Sequence, residues 1–273
     1  MIQAQYRQLG GTVGYIEQWG QGQPVLCVHT AGQSGVQWRH VAPVLASHGY
    51  RVIVPDLPGH GRSEGPSQGP VRDLADYGVW CERLLEELNV ERPFVVGCSI
   101  GGKIALDLAI RMGSKLQGVV AMAADAGLPQ KEGAAMARGL ERDLSDAASP
   151  CRTDRTFFGT LAVVGRSVPP AQAHQIALMH RREDPEVSNS DLIGWASFDR
   201  WNDLGAVACP VHLVAGEDDL WLDLERVKRT AQAIPNARYT VLKGIGHYPM
   251  EELDDAGEQI RRWFDGLKGG CHV

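Results

Sequence analysis

The run Phe94-Val95-Val96-Gly97-Cys98-Ser99-Ile100-Gly101-Gly102 constrains this chain more than any other stretch. A short apolar segment enters Gly-x-Ser-x-Gly with no intervening loop, and a helix-like segment, Lys103 to Ala109, follows at once. A strand must therefore become a helix within one or two residues. That turn strains the backbone at the serine and needs small neighbours, because side chains there would collide with adjacent backbone. The hydroxyl is then lifted clear of the sheet at a helix N-terminus, where free N–H groups and the helix dipole favour developing negative charge. Ser99 is accordingly the candidate nucleophile. Alone, Gly-x-Ser-x-Gly is a weak pattern, and the rest of the chain decides its meaning.

The elements around it repeat. Ile2 to Trp19 reads as a hairpin about Gly10-Gly11, Val25 to Val28 as a strand, and Val36 to His48 as a helix. Arg51 to Val54 is a strand, Val71 to Leu88 a helix with Leu74, Trp80, Leu84 and Leu88 at helical spacing, and Phe94 to Val96 and Leu116 to Ala123 are strands. The pattern resumes with the strand Val211 to Val214, a helix near Leu222 to Ala233, the strand Arg238 to Leu242 and a closing helix from Glu251 to Leu267. Short β-branched strands alternating with longer amphipathic helices specify an α/β fold whose mostly parallel sheet is covered on both faces.

Between Gly127 and Leu204 the strand pattern stops. The stretch reads as helical, broken by Pro150, Pro169-Pro170 and Pro185, and so as an insertion sitting on the sheet. The expected division is a core of residues 1–126 and 205–273 with a helical cap of residues 127–204. Large apolar residues of the insertion, among them Met136, Leu140, Trp195, Phe198 and Trp201, supply its own core and its docking face. A few should line a ligand pocket, with Trp195 a candidate.

The composition excludes several classes. With 27 basic and 33 acidic residues, a net charge of −6 and scattered arginines, the chain has no basic footprint for nucleic acid. Six cysteines include no CxxC pair, and Cys27 and Cys98 fall in apolar strand contexts, so a reduced, buried state is expected. The first residues lack an apolar leader segment and no stretch is long enough to span a membrane, so a cytoplasmic protein without membrane partners is expected. No motif implies a metal or an organic cofactor; Gly97 to Gly102 lacks the Gly-x-Gly-x-x-Gly spacing of a dinucleotide loop.

A serine hydroxyl needs a base to take its proton and a carboxylate to hold that base in one tautomer. Open α/β sheets build sites at the carboxyl ends of their strands, and two late strands end in suitable loops. One loop is Ala215-Gly216-Glu217-Asp218-Asp219, the other Lys243-Gly244-Ile245-Gly246-His247-Tyr248-Pro249. His247 is the expected base, because the other histidines lie in helical segments, within a strand, at the terminus, or, like His29 and His60, in or beside loops nearer the start. Asp219 is favoured as the acid; its neighbour Asp218, and Asp125 just past an earlier strand, stay open, Asp125 also as a polar group facing substrate. The oxyanion of an acyl-transfer intermediate needs two donors. The backbone N–H of Ile100 is one; the other comes from the loop His29-Thr30-Ala31-Gly32-Gln33-Ser34-Gly35, with Ala31 favoured and Thr30 next.

These pieces together resemble the α/β-hydrolase superfamily, in its serine-nucleophile esterase and lactonase branch with a helical cap. The matching residues are Val28-His29 with the small-residue loop after it, Asp56-Leu57-Pro58-Gly59-His60-Gly61-Arg62-Ser63, Gly97 to Gly102, Gly216 to Asp219, and Gly246-His247-Tyr248-Pro249 followed by Glu251-Glu252. The resemblance implies an eight-stranded sheet, a cap inserted after the sixth strand, a triad of Ser99, Asp219 and His247, and a structural role for the loop holding His60. One departure is Thr30, where the family often has glycine; its hydroxyl could point into the site. A serine nucleophile implies cleavage of an ester or lactone with a mainly apolar group. Carbon–carbon hydrolases of vinylogous diketones are the near alternative, but they resemble Gly-Asn-Ser-x-Gly-Gly with Trp after the histidine, where this chain has Cys98 and Tyr248. A receptor-like protein that turns over its ligand slowly is the reading from another class.

Overall fold

A computed structural model describes residues 2–145 and 152–268, with the side chains of Arg152 and Thr153 excepted. Cys151, Cys271 and His272 therefore lie outside the described residues. The chain begins with β1 (Ile2–Leu9), β2 (Thr12–Trp19) and β3 (Gln23–Val28), then α1 (Ala42–Ser47), β4 (Tyr50–Pro55) and α2 (Leu74–Glu87). Next come β5 (Phe94–Cys98), α3 (Ile100–Met112) and β6 (Gly118–Met122). Four helices follow: α4 (Gln130–Ser145), α5 (Arg152–Val163), α6 (Pro170–His180) and α7 (Pro185–Ser197). The chain then returns through β7 (Val211–Gly216), α8 (Leu224–Ala233), β8 (Arg238–Leu242), α9 (Pro249–Glu252) and α10 (Ala256–Lys268).

The eight strands form one sheet in the order β1-β2-β4-β3-β5-β6-β7-β8. The two pairings that involve β2 are antiparallel and all the others parallel. Every residue of β5, β6 and β7 is buried, as expected for strands covered on both faces, whereas the edge strand β8 is half-exposed. On one face α10 turns Ile260, Trp263, Phe264 and Leu267 inward, and Phe264 stacks on Phe94 of β5 at 4.4 Å between ring centroids. The register aligns strand ends: Val28 of β3 pairs with Gly97 of β5, and Cys98 with Met122 of β6. The loops after β3, β5, β7 and β8 thus emerge at one edge of the sheet, as does the one leading into the cap.

The helical cap is inserted after β6, and its two ends are pinned together. Gly127 and Asp199 form an isolated antiparallel bridge, Arg200 N–H donates to the Ala126 carbonyl at 2.8 Å, and Trp201 Nε1–H to the Gly127 carbonyl at 3.1 Å. Within the cap α4 crosses α7 at Gly133, where a Cβ would lie 2.2 Å from the Ala196 carbonyl oxygen, so only glycine permits the approach.

Two helices differ from the sequence reading. The segment expected as one helix from Val36 to His48 is a 3-10 turn, Gly35–Trp38, followed by α1. Pro43 explains the break: it lacks an N–H and its ring collides with the carbonyl four residues earlier. The closing helix expected from Glu251 to Leu267 is split into α9 and α10, with Leu253 extended at ψ 127°. Glu251 and Glu252 face inward and are held by long-range hydrogen bonds from Gln37 and Gly165, a tertiary demand that helical periodicity does not reveal.

Candidate active site

Ser99 sits between β5 and α3 at φ 57°, ψ −120°, a backbone state that ordinary residues avoid. The neighbouring glycines make it possible. A Cβ on Gly97 would lie 2.1 Å from the Gly101 carbonyl oxygen, and one on Gly101 would lie 2.3 Å from the Val28 oxygen. Ile100 begins α3, so its N–H has no acceptor within the helix.

Of the three carboxylates considered from the sequence, Asp219 meets His247: Nδ1–H donates to Oδ2 at 2.6 Å, and both residues are buried. Trp221 N–H holds the other Asp219 oxygen at 2.9 Å, and the Trp221 ring stands edge-on to His247 at 5.0 Å. Asp218 turns outward and accepts the backbone N–H of Arg166 at 2.8 Å, while the Arg166 guanidinium bridges Asp218 and Glu217. Asp125 is fully buried between Lys103 Nζ at 2.7 Å and Arg226 Nε at 2.6 Å. It does not line the cavity described below, which corrects the reading of it as a residue facing substrate. Two cations outcompeted that role: burial alone would raise the Asp125 pKa, but Lys103 and Arg226 hold it below the usual value.

A cavity of about 540 Å³ lies between the strand ends and the cap, with Ser99, His247, Thr30, Ala31, Trp195 and Tyr248 all in its lining. Met136, Leu140 and Leu192 add apolar surface from the cap, and Leu220 and Trp221 from the loop after β7. Trp195 is backed by the Lys103 ammonium at 4.3 Å from its ring, so the ion pair with Asp125 supports this wall from behind. Thr156, Ser188, Asn189 and Glu183 add polar groups to the lining. Burial raises the Glu183 pKa although the Thr156 and Ser188 hydroxyls donate to it.

The loop after β3 is held from several sides. Thr30 N–H and Oγ1–H both donate to Gln37 Oε1, at 2.9 and 3.1 Å, so the hydroxyl that could have entered the site spends its proton on Gln37. Among the described residues the Ala31 N–H has no partner. His29 accepts the Leu57 N–H at Nε2, 3.0 Å, and donates from Nδ1 to the Thr30 carbonyl, 2.9 Å. Burial, then the neighbouring His60, push its pKa down to about 4, so it braces the loop as a neutral ring.

Sequence reasoning did not assign the supporting roles of four residues. Glu252 accepts the N–H groups of Gly246 at 2.6 Å, Tyr248 at 2.9 Å and Gly165 at 2.9 Å, tying the His247 loop to the end of α5. Glu251 accepts from Gln37 at 2.9 Å, His180 at 3.1 Å and Arg39 at 3.1 Å. His180, from α6, also packs its ring on Tyr248 at 4.3 Å and lines the cavity. Asp191, fully buried on α7, accepts from His60, Tyr77 and Gly32. Two signals were available: the Glu251-Glu252 pair that follows the His247 loop, and, for Asp191, a charged residue four positions before Trp195 on the face of α7 turned inward.

The comparisons agree with this geometry. The chain is 32% identical to the magnesium-chelatase 30 kDa subunit of Rhodobacter capsulatus, over 93% of each protein. It is 25% identical to the 2-hydroxy-6-oxononadienedioate/2-hydroxy-6-oxononatrienedioate hydrolase of Cupriavidus pinatubonensis, over 84% of this chain and 81% of that one. A thermophilic esterase from Thermogutta terrifontis superposes with a TM-score of 0.82 at 23% identity, covering 97% of this chain and 99% of that one. The model of the alpha/beta hydrolase family matches residues 25–262. Strand order, cap insertion and this match converge, and the chain belongs to the alpha/beta hydrolase family.

Proposed function

We propose that the protein is a serine hydrolase that cleaves a carboxylic ester or lactone through an acyl-enzyme. The observation that carries this reading is the His247–Asp219 bond of 2.6 Å beside the same cavity that Ser99 lines. With Nδ1–H given to Asp219, Nε2 is the basic nitrogen. It takes the Ser99 proton as Oγ attacks the substrate carbonyl, and the oxyanion is held by the N–H groups of Ile100 and Ala31. Collapse breaks the bond to the leaving oxygen, which receives the proton from Nε2. Water, deprotonated by the same nitrogen, then releases the acid and restores Ser99. Asp219 keeps the tautomer and stabilises the imidazolium.

The apolar wall of Met136, Leu140, Leu192, Trp195 and Trp221 suits a substrate with a mainly apolar group of modest size. Carbon–carbon cleavage of a vinylogous diketone is the second reading, kept open by the likeness to the 2-hydroxy-6-oxononadienedioate/2-hydroxy-6-oxononatrienedioate hydrolase of Cupriavidus pinatubonensis. Against it, Cys98 is fully buried and its thiol donates to the His247 carbonyl at 3.1 Å, so position 98 offers substrate no polar contact. Acid release at constant pH from short esters, lactones and a vinylogous diketone, with Ser99→Ala beside wild type, tests the choice. Multiple turnovers on esters or lactones, lost in S99A, are expected. Cleavage of the diketone alone would install the second reading, and a single stoichiometric acylation would indicate a receptor-like protein.

A further inference from the structure

Of the four amides from Thr30 to Gln33, three are engaged. Thr30 N–H donates to Gln37 Oε1 at 2.9 Å, Gly32 N–H to Asp191 Oδ2 at 2.9 Å, and Gln33 N–H to the Thr30 carbonyl at 3.2 Å. Only that of Ala31, which lines the cavity with Ser99, has no partner among the described residues. The peptide planes before and after the one carrying the Ala31 N–H are therefore each tied to a side chain, one from the core and one from the cap.

Both side chains are themselves locked. Gln37 Nε2 donates to Glu251 at 2.9 Å and meets His180 at 3.2 Å, which turns Oε1 toward Thr30. Asp191 is fully buried, with His60 at 2.8 Å sharing the oxygen that Gly32 uses and Tyr77 at 2.8 Å on the other. Gly32 stands at φ 64°, and a Cβ there would lie 2.6 Å from Glu183 Oε2 and 2.8 Å from Ser188 Cβ, both in the cap. The loop thus has no room to relax toward the cap without losing the Asp191 bond.

We propose that Gln37 and Asp191 are positioning residues that jointly aim the Ala31 N–H at the oxyanion, so that seating of the cap completes the oxyanion hole. The proposal rests on the acyl-transfer reading above. It makes the cap part of the rate-determining geometry as well as a cover for the substrate. Preorganised donors act only when aimed where charge develops, and a misdirected donor costs transition-state stabilisation while leaving ground-state binding largely intact.

The test measures kcat and KM on a short ester, and the affinity of an alkyl boronic acid that forms a tetrahedral adduct with Ser99. Asp191→Ala should lower kcat by about 30- to 100-fold with KM nearly unchanged, and weaken the boronic acid in parallel. Asp191→Asn should restore most of the rate, because its amide oxygen can serve Gly32 and His60 while its NH₂ donates to the Tyr77 hydroxyl. Tyr77→Phe removes a bond to Asp191 without freeing Gly32, so it should lower the unfolding temperature and leave kcat within about twofold. Equal losses of kcat in D191A and Y77F, or wild-type kcat and boronic acid affinity in folded D191A, overturn the proposal. If D191A does not fold, Gln37→Met carries the test: a fall in kcat of about tenfold or more at constant KM is expected, and unchanged values overturn it. S99A separates the two layers. Turnover that survives in S99A removes the acyl-transfer reading, whereas turnover lost in S99A but intact in the clamp variants removes only the clamp.

Discussion

Two buried histidine–aspartate pairs stand among the described residues. His247 and Asp219 meet at 2.6 Å, His60 and Asp191 at 2.8 Å, and all four residues are buried. They differ at the second ring nitrogen. His247 has one nitrogen on Asp219 and borders the cavity with Ser99, so it can accept and return a proton. His60 faces acceptors at both: Asp191 at Nε2 and the Pro58 carbonyl at Nδ1, 3.1 Å. Only the imidazolium donates at both, and there is no lone pair left for a reacting group. Burial alone would lower the His60 pKa, but Asp191 outweighs it and holds it above the usual value. The same pair of residue types thus makes a candidate base in one place and a structural tie with both ring nitrogens engaged in another, and the third neighbour decides which.

The largest effect that can break this contrast is at Asp219. Asp219→Asn should lower kcat by about 10⁴-fold, since the amide favours the wrong imidazole tautomer. A loss below about tenfold in steady-state turnover would place the working acid elsewhere. His60→Gln should behave oppositely: kcat falls less than tenfold, while breaking a buried charged pair costs about 3–5 kcal/mol of stability, read by urea unfolding. The pH dependence of that cost has a sign. A raised folded pKa stabilises fully below the unfolded value of 6.5 and the contribution is lost as pH rises through the folded value, so H60Q should flatten the decline of wild-type stability above pH 6.5.

Another buried histidine, His212, sharpens the point by lacking a carboxylate. His212 contacts Thr240 at 2.9 Å and the Trp263 ring, and burial, then Arg238, lower its pKa to about 4. The unfolded chain binds its proton near 6.5 and the folded one does not, so this residue makes stability fall as pH drops from 6.5 toward 4. His212→Leu should remove about 2 kcal/mol of that fall at pH 5, visible as a smaller shift of the urea midpoint between pH 7 and 5.

Much of the architecture was legible because it is local. The elbow announced itself through Gly97, Gly101 and Gly102, since a strand that becomes a helix at once leaves no space for side chains. The parallel strands appeared as continuous β-branched runs because both their faces are covered. Pro43 and the inward-facing Glu251 and Glu252 defeated the helix boundaries, one by backbone chemistry that could have been weighed, the others by partners distant in sequence. Among the described residues no helix is long and apolar enough to cross a membrane, in line with the hydropathy of the sequence.

By itself the sequence determined the class of fold, the strained position of Ser99, and a short set of candidate partners for it, because these follow from periodicity, glycine spacing and chain order. Only the tertiary structure showed which of Asp219, Asp218 and Asp125 bonds to His247, left Ala31 rather than Thr30 with a free N–H, and brought Asp191 of the cap to Gly32 across 159 residues of chain. A hydrogen bond depends on angle and on a few tenths of an ångström, and those are set by the packing of elements far apart in sequence, which residue order alone does not encode in any readable pattern.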